Sequence, residues 1–124
     1  MTKTIGIVLF PVFEELDAVG PYEVLGAFSA LNREWRVVTI AQEGGTVKGA
    51  NGLKVVADHS FDDAPPLDVI LVPGGFGTRE EMDNPRMLDF VRRAGSAASW
   101  VTSVCTGALI LHRAGFLTGK YKRG

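Results

Sequence analysis

The sequence predicts an α/β domain with an open, doubly wound and mostly parallel sheet. Three observations predict it. Short apolar runs rich in β-branched residues recur along the chain, segments with helical spacing separate them, and turns rich in glycine and proline fall between the two. The 124 residues are enough for one hydrophobic core and too few for two, so we assign 1–124 to a single domain.

The first apolar run, Thr4–Phe10, predicts a buried strand that ends at Pro11. We expect the following helix to begin at Gly20-Pro21, since proline suits the first helical turn. Apolar residues then recur at helical spacing and predict an amphipathic helix packed on the sheet: Val24, Leu25, Phe28 and Leu31. Trp35–Ala41 predicts the next strand, which a right-handed crossover joins to the first.

The middle of the chain predicts a hairpin and then a return to the sheet. A glycine-rich stretch at 42–52 and the alternating residues Leu53–Ala57 favour a β-hairpin or another excursion at the edge of the sheet. We assign no chemistry to this segment. Leu67–Val72 predicts another buried strand, and it leads directly into the turn Pro73–Gly77.

Two helix starts follow that turn. Thr78 with Glu81 fits a capping box, and Asn84-Pro85 marks the start of a longer helix. Gly95 is expected to cap the longer helix at its C-terminus. The apolar face of that helix is formed by Met87, Leu88, Val91 and Ala94.

The composition is that of a globular protein, with 46% hydrophobic and 22% charged residues. The net charge of −1 predicts no strong field toward nucleic acid or an anionic membrane. One cysteine excludes an internal disulfide, which favours the cytoplasm. The apolar stretch at 5–13 is preceded only by Lys3 and followed by Glu14 and Glu15, so we expect neither a signal peptide nor a membrane span.

The only cysteine follows an uncharged run, Trp100–Val104, which predicts a strand covered on both faces. Small residues come after Cys105, and apolar residues suited to a buried helix come after those. Cys105 is therefore expected at a strand-to-helix elbow, where a helix N-terminus lowers the pKa of a thiol. A lone cysteine more often packs as a small hydrophobic residue, but the elbow position favours the nucleophile.

Three segments fall at the carboxyl ends of the predicted strands, where ligands bind in such sheets. They are the segment around Asp17, the turn at Gly74–Gly77, and Cys105. A desolvated Asp17 beside the thiol would have a raised pKa and could move protons, although aspartate at this place could equally cap a helix. The backbone N–H groups of Gly75 and Thr106 could hold a developing negative charge, or could simply belong to tight turns.

Other ligand motifs are weak. The glycine turn matches neither the dinucleotide fingerprint nor the phosphate loop with its lysine. His112 lies about two helical turns beyond Cys105, too far to act as its base. His59 follows the predicted hairpin and is interpreted as a surface residue. Two isolated histidines and one cysteine make a poor metal site, so we expect no metal.

With these residues in place, the chain resembles the ThiJ/PfpI superfamily of glutamine amidotransferase-like proteins, and within it the isocyanide hydratase branch. The resemblance is carried by Leu9–Leu25, Leu67–Gly75 and Val101–Gly119. The pattern from Leu16-Asp17 to Gly20-Pro21 separates this branch from relatives with glutamate near that place. The resemblance implies a flavodoxin-like fold with three layers, α/β/α.

The resemblance also implies roles for individual residues. Cys105 would be the nucleophile and Asp17 its acid/base partner, with Gly74, Gly75 and Thr106 as oxyanion and substrate-binding residues. The thiolate would attack the terminal carbon of an isocyanide, and hydrolysis of the thioimidate would yield an N-substituted formamide. The resemblance implies a small-molecule substrate, no cofactor and a homodimer.

Relatives continue beyond Leu117–Gly119 for several strands and helices, so we expect 1–124 to be the N-terminal portion of the full fold. Trp100–Val104 as the last strand would leave an unprotected apolar edge, which agrees with that expectation. Three alternatives stay open. The chain could be the ligand-sensing domain of a transcriptional regulator, a relative acting on glyoxal-type carbonyls or in stress, or an inactive fragment in which the elbow is only architecture.

Overall fold

The computed structural model describes residues 2–116. Strands and helices alternate over most of this range. In chain order the elements are β1 (Lys3–Leu9), α1 (Glu15–Leu31), β2 (Trp35–Ala41), β3 (Gly45–Lys48), β4 (Lys54–Ala57), β5 (Val69–Val72), α2 (Thr78–Glu81), α3 (Pro85–Ala97), β6 (Trp100–Ser103) and α4 (Gly107–Arg113).

The central sheet has the strand order β2-β1-β5-β6, and each neighbouring pair is parallel. The chain moves in one direction from β1 to β2 and in the opposite direction from β5 to β6, so the order reverses between β1 and β5. Right-handed crossovers then place α1 on one face of the sheet and α3 on the other. This order confirms the predicted doubly wound α/β fold.

The two central strands form the middle of the core. In β1, Ile7 and Val8 are fully buried, and in β5 the same holds for Ile70 and Val72. Because both faces of these strands are covered, their sequences are continuous apolar runs rather than alternating ones. The predicted strands Thr4–Phe10, Trp35–Ala41 and Leu67–Val72 therefore correspond to observed strands, with small shifts at their ends.

Helix α1 begins at Glu15, so the predicted start at Gly20-Pro21 is wrong, and Pro21 lies inside the helix. The chain has already turned before it reaches the proline. Phe13 is fully buried, and its carbonyl accepts a hydrogen bond from Ala50 N–H. These contacts outweigh the cost of a proline that cannot donate to the preceding turn.

The predicted apolar face of α1 is also wrong, although the helix does lie against β1 and β2 of the sheet. Val24 is 68% exposed and Leu31 90% exposed, and Ala18 is the only residue of the helix that is buried. Apolar residues are spread around the circumference of this helix, so their spacing did not identify the side that faces the sheet. Six large apolar side chains of α1 remain exposed, namely Leu16, Val19, Tyr22, Val24, Phe28 and Leu31.

Strands β3 and β4 pair antiparallel from Gly45 opposite Ala57 to Lys48 opposite Lys54, which confirms the hairpin. Its tip is tied to the start of α1. The Glu15 carboxylate accepts hydrogen bonds from Asn51 N–H at 2.6 Å, Asn51 Nδ2 at 3.0 Å and Leu53 N–H at 3.3 Å. Desolvation acts to raise the pKa of Glu15, but these hydrogen bonds prevail and hold it below its ordinary value.

The capping prediction at α2 is wrong, whereas the one at α3 is confirmed. Thr78 lies inside α2, and its hydroxyl donates to the Gly75 carbonyl at 2.8 Å instead of capping the helix. The Asn84 side chain accepts from Arg86 N–H at the start of α3, with Pro85 as the first helical residue.

The predicted C-cap at Gly95 is wrong as well, because α3 continues to Ala97. Gly95 is buried against the ring of Phe116. A Cβ at this position would lie 2.5 Å from a ring atom, so glycine is needed here for close packing rather than for a turn.

Strand β6 is an edge strand among the described residues, since β5 is its neighbour on one side only. Trp100 is 67% exposed and the rest of the strand is partly exposed, so the predicted cover on both faces is not observed. The end of the family-like motif, Leu117–Gly119, lies outside the described residues. No helix within residues 2–116 has the length and apolar character needed to span a membrane.

Candidate active site

Cys105 lies where β6 passes into α4, which confirms the predicted elbow. Its φ angle is 50°, in the left-handed region that residues other than glycine rarely adopt. Gly107 makes the sharp bend possible. A Cβ at Gly107 would overlap the carbonyls that follow β5, including that of Val72. Strain of this kind concentrates at functional sites, and the thiol is exposed.

The thiol faces a carboxylate from the first helix. Cys105 Sγ donates to Asp17 Oδ1 at 3.9 Å, and Gly74 N–H donates to Asp17 Oδ2 at 3.2 Å. The backbone of the glycine turn therefore orients one oxygen of Asp17, and the other oxygen points at the sulfur. This contact joins residues far apart in the sequence, as the convergence of strand ends predicts.

The pKa of the Cys105 thiol is raised above its ordinary value, so the expected lowering is wrong. The largest cause is the negative charge of Asp17, followed by desolvation, the hydrogen bond to Asp17, and the charge of Glu14. Helix α4 has only seven residues, and its N-terminus does not offset two carboxylates. The thiol in the free protein is consequently protonated and hydrogen-bonded.

The glycine turn and the residue after the nucleophile are also in contact. Gly75 has a φ of 124°, and its N–H donates to Thr106 Oγ1 at 3.0 Å. This N–H would reach an anion only after the hydroxyl turns away. The N–H of Thr106 has no acceptor among residues 2–116 and is a donor free for a ligand. The structure thus brings together Cys105, Asp17, Gly74, Gly75 and Thr106.

Sequence reasoning missed the turn between β1 and α1. Phe13 N–H donates to the Phe10 carbonyl at 3.2 Å, Pro11 occupies the second position, and Val12 has a φ of 64°. These are features of a type II turn, whose third position normally takes glycine. The strained valine is held by the hairpin, because its N–H donates to the Lys48 carbonyl at 3.0 Å.

The same turn is also held by the glycine loop. Gly77 N–H donates to the Val12 carbonyl at 3.2 Å, and Glu14 N–H donates to the Gly74 carbonyl at 2.9 Å. The segment that leads to Asp17 is therefore held by hydrogen bonds to the hairpin on one side and to the glycine turn on the other. Pro11, close behind the buried strand, is the sequence signal that could have pointed to it, since proline is common at the second position of such a turn.

Replacing Val12 with glycine is expected to stabilise the protein. Relief of the left-handed conformation should raise the free energy of unfolding by about 1–2 kcal/mol. The greater freedom of glycine in the unfolded chain should lower it by about 0.5–1 kcal/mol. Val12 is 43% exposed, so loss of its partly buried side chain offsets a further part of the gain. Thermal unfolding measures the change. Val56→Gly, at an exposed valine of β4, is the control and should lower the midpoint of thermal unfolding. An equal decrease in Val12→Gly would contradict the proposed strain at Val12.

The remaining sequence candidates lie elsewhere. His59 bridges to Ile40 of β2 and lies 3.7 Å from Asp63, while His112 is on α4 beyond the elbow. Within residues 2–116, no three side chains of histidine, cysteine, aspartate or glutamate gather as metal ligands would. The groups that the described residues bring together at the elbow are the thiol, the carboxylate and the backbone donors.

Comparison with known proteins gives consistent results. The model of the DJ-1/PfpI family matches residues 3–122. The isonitrile (isocyanide) hydratase of Pseudomonas putida is 41% identical over 120 residues, and the match covers 97% of this chain and 51% of that protein. A deglycase of Pyrococcus horikoshii is 32% identical over 111 residues, covering 87% of this chain and 63% of that protein.

Solved structures agree. A ThiJ/PfpI family protein from Pseudomonas syringae superposes with a TM-score of 0.88 at 30% identity, covering 96% of this chain and 48% of that one. The chain thus spans about half the length of the hydratase and of this structure. The resemblance drawn from the three sequence motifs is confirmed.

Proposed function

This chain belongs to the DJ-1/PfpI family, and we propose that it is a cysteine-dependent hydratase that converts isocyanides to N-substituted formamides. The observation that carries the proposal is the contact of Cys105 Sγ with Asp17 Oδ1 at 3.9 Å, at an elbow, in a chain 41% identical to an isonitrile hydratase. The direct test is formamide production from cyclohexyl isocyanide by the purified chain.

The raised pKa of Cys105 suits this substrate. The terminal carbon of an isocyanide must gain both a sulfur and a proton, and a protonated thiol beside a carboxylate supplies both. As the sulfur–carbon bond forms, Asp17 Oδ1 takes the thiol proton and delivers it to the same carbon. The product of this step is a thioimidate, R–N=CH–S, on Cys105.

Hydrolysis then releases the product. Water adds to the thioimidate carbon, and Asp17 takes one proton from the water and passes it to the nitrogen, which gives R–NH–CH(OH)–S on Cys105. The carbon–sulfur bond then breaks as Asp17 takes the hydroxyl proton and returns it to the sulfur, and R–NH–CHO leaves. The free N–H of Thr106 is placed to stabilise negative charge that develops during these steps, with Gly75 N–H as a second donor once the Thr106 hydroxyl turns away.

A second candidate function is a deglycase-type reaction, which the 32% identical relative of that name favours. The same thiol would then attack a carbonyl-derived carbon. Activity on glycated substrates without activity on isocyanides would select this candidate.

Alkylation of Cys105 by iodoacetamide is expected to show a thiol pKa above the ordinary value. The charges of Asp17 and Glu14 oppose the thiolate, so the reaction should be slow at neutral pH and accelerate only in alkaline solution. The measurement is the rate of labelling from about pH 6 to about pH 11. A pKa below the ordinary value would mean that the helix N-terminus prevails and that the thiolate attacks directly.

We also propose a small-molecule substrate, no cofactor, a cytoplasmic location and a homodimer. The exposed apolar side chains of α1 support the dimer, because an apolar surface of this kind favours association. Sedimentation equilibrium measures the association state. A mass that stays monomeric over the concentrations tested would contradict the homodimer.

A further inference from the structure

A second cleft opens at the carboxyl ends of β1 and β2, apart from the thiol. Its volume is about 310 Å³, enough for a small molecule. Its floor consists of buried apolar side chains, Leu9, Phe10, Val47 and Met87. Cys105, Asp17, Gly74, Gly75 and Thr106 are not among the residues that line it. The cleft belongs to the sheet edge where ligands of doubly wound folds bind.

Two carboxylates lie on the wall of the cleft, and they differ in their partners. Glu43 is paired with Arg86 at 3.3 Å. Glu81 is half-buried and accepts a hydrogen bond from Asn84 Nδ2 at 3.0 Å, but no lysine, arginine or histidine within residues 2–116 forms a salt bridge with it. Burial and the neighbouring Glu80 raise the pKa of Glu81, although the Asn84 hydrogen bond acts to lower it.

The polar wall and the apolar floor of the cleft indicate which kind of ligand it can bind. A half-buried carboxylate without a cationic partner is stabilised by a donor that carries a positive charge. The Asn84 amide also donates to Gln42 Oε1 at 2.8 Å, so its two N–H groups are already used. The Glu81 carboxylate can accept further hydrogen bonds, and the donors for them must come from a ligand or from water.

We propose that this cleft binds a small organic ammonium ion, with its charge at Glu81 and its apolar group over Leu9 and Met87. A metal ion is a poorer fit, because only two carboxylates of the described residues line the cleft and one of them, Glu43, is already paired with Arg86. The volume suits a ring or chain of a few carbons rather than a peptide. The inference goes beyond the hydratase chemistry and does not depend on it.

The test is an NMR titration of the full chain with cyclohexylammonium chloride, with neutral cyclohexanol as the matched probe. We expect cyclohexylammonium to bind with a Kd on the order of millimolar, as suits so few heavy atoms, and to shift amide signals of 41–44 and Val47. Cyclohexanol should bind about tenfold more weakly, because it lacks the charge-assisted hydrogen bond.

Glu81→Gln should remove the preference for the ammonium ion while it leaves the fold intact. Glu80→Gln is the matched control, since Glu80 is exposed on the same helix and does not line the cleft. The Kd of this variant for cyclohexylammonium should stay within about twofold of the unaltered protein's. Equal affinity for the two probes would overturn the proposal, and so would a preference that survives in Glu81→Gln. Isocyanide turnover is measured separately, so failure of one proposal is distinguishable from failure of the other.

Discussion

Replacing Cys105 with alanine is expected to abolish isocyanide hydration and leave the protein folded. The sulfur forms the covalent bond to the isocyanide carbon, and alanine offers no substitute nucleophile. The thiol is exposed, and Asp17 is its hydrogen-bond partner, so its removal should leave the midpoint of thermal unfolding nearly unchanged. Formamide production and thermal unfolding of the variant check both parts.

His112→Ala is the matched control for this variant. His112 is exposed on α4, close to Cys105 in sequence but beyond the elbow, and its replacement should leave turnover unchanged. Retained turnover in Cys105→Ala would remove the thiol from the mechanism. Loss of turnover in both variants would point instead to damage of α4.

The elbow and the sheet were predictable because local patterns determine them. An uncharged run followed by small residues and then apolar ones encodes a strand, a tight bend and a helix, so the place of Cys105 followed from its neighbours alone. The doubly wound, parallel character of the sheet followed from the alternation of strands and helices. The proximity of Asp17 and Cys105 was then predictable, because both residues follow the carboxyl ends of parallel strands.

The properties that were mispredicted depend on contacts through space. The thiol pKa is raised by Asp17 of the distant first helix, by desolvation and by Glu14 just before that helix, whereas sequence reasoning considered only the adjacent short helix. The orientation of α1 escaped prediction because its apolar residues do not select a face, as the exposed Val24 and Leu31 show. Val12 gave no signal, since valine is a residue that disfavours its observed φ.

Asp17→Asn is expected to have opposite effects on turnover and on thiol reactivity. The amide cannot take the thiol proton and return it to the substrate, so kcat should fall about 10²–10⁴-fold, the usual contribution of general acid–base catalysis. Loss of the largest charge that opposes the thiolate should lower the pKa of Cys105, so alkylation at neutral pH should become faster. Turnover of isocyanide and labelling by iodoacetamide are measured on the same preparation.

Glu14→Gln separates proton transfer from simple electrostatics. Glu14 acts on the thiol by charge alone and is the weakest of the influences that raise its pKa, whereas Asp17 is also hydrogen-bonded to it. We therefore expect Glu14→Gln to speed alkylation slightly and to change kcat by less than about tenfold. If both variants slowed turnover equally, Asp17 would act only through its charge. If Asp17→Asn kept the ordinary rate, Asp17 would only orient the glycine turn through Gly74 N–H, and the proton would need another carrier.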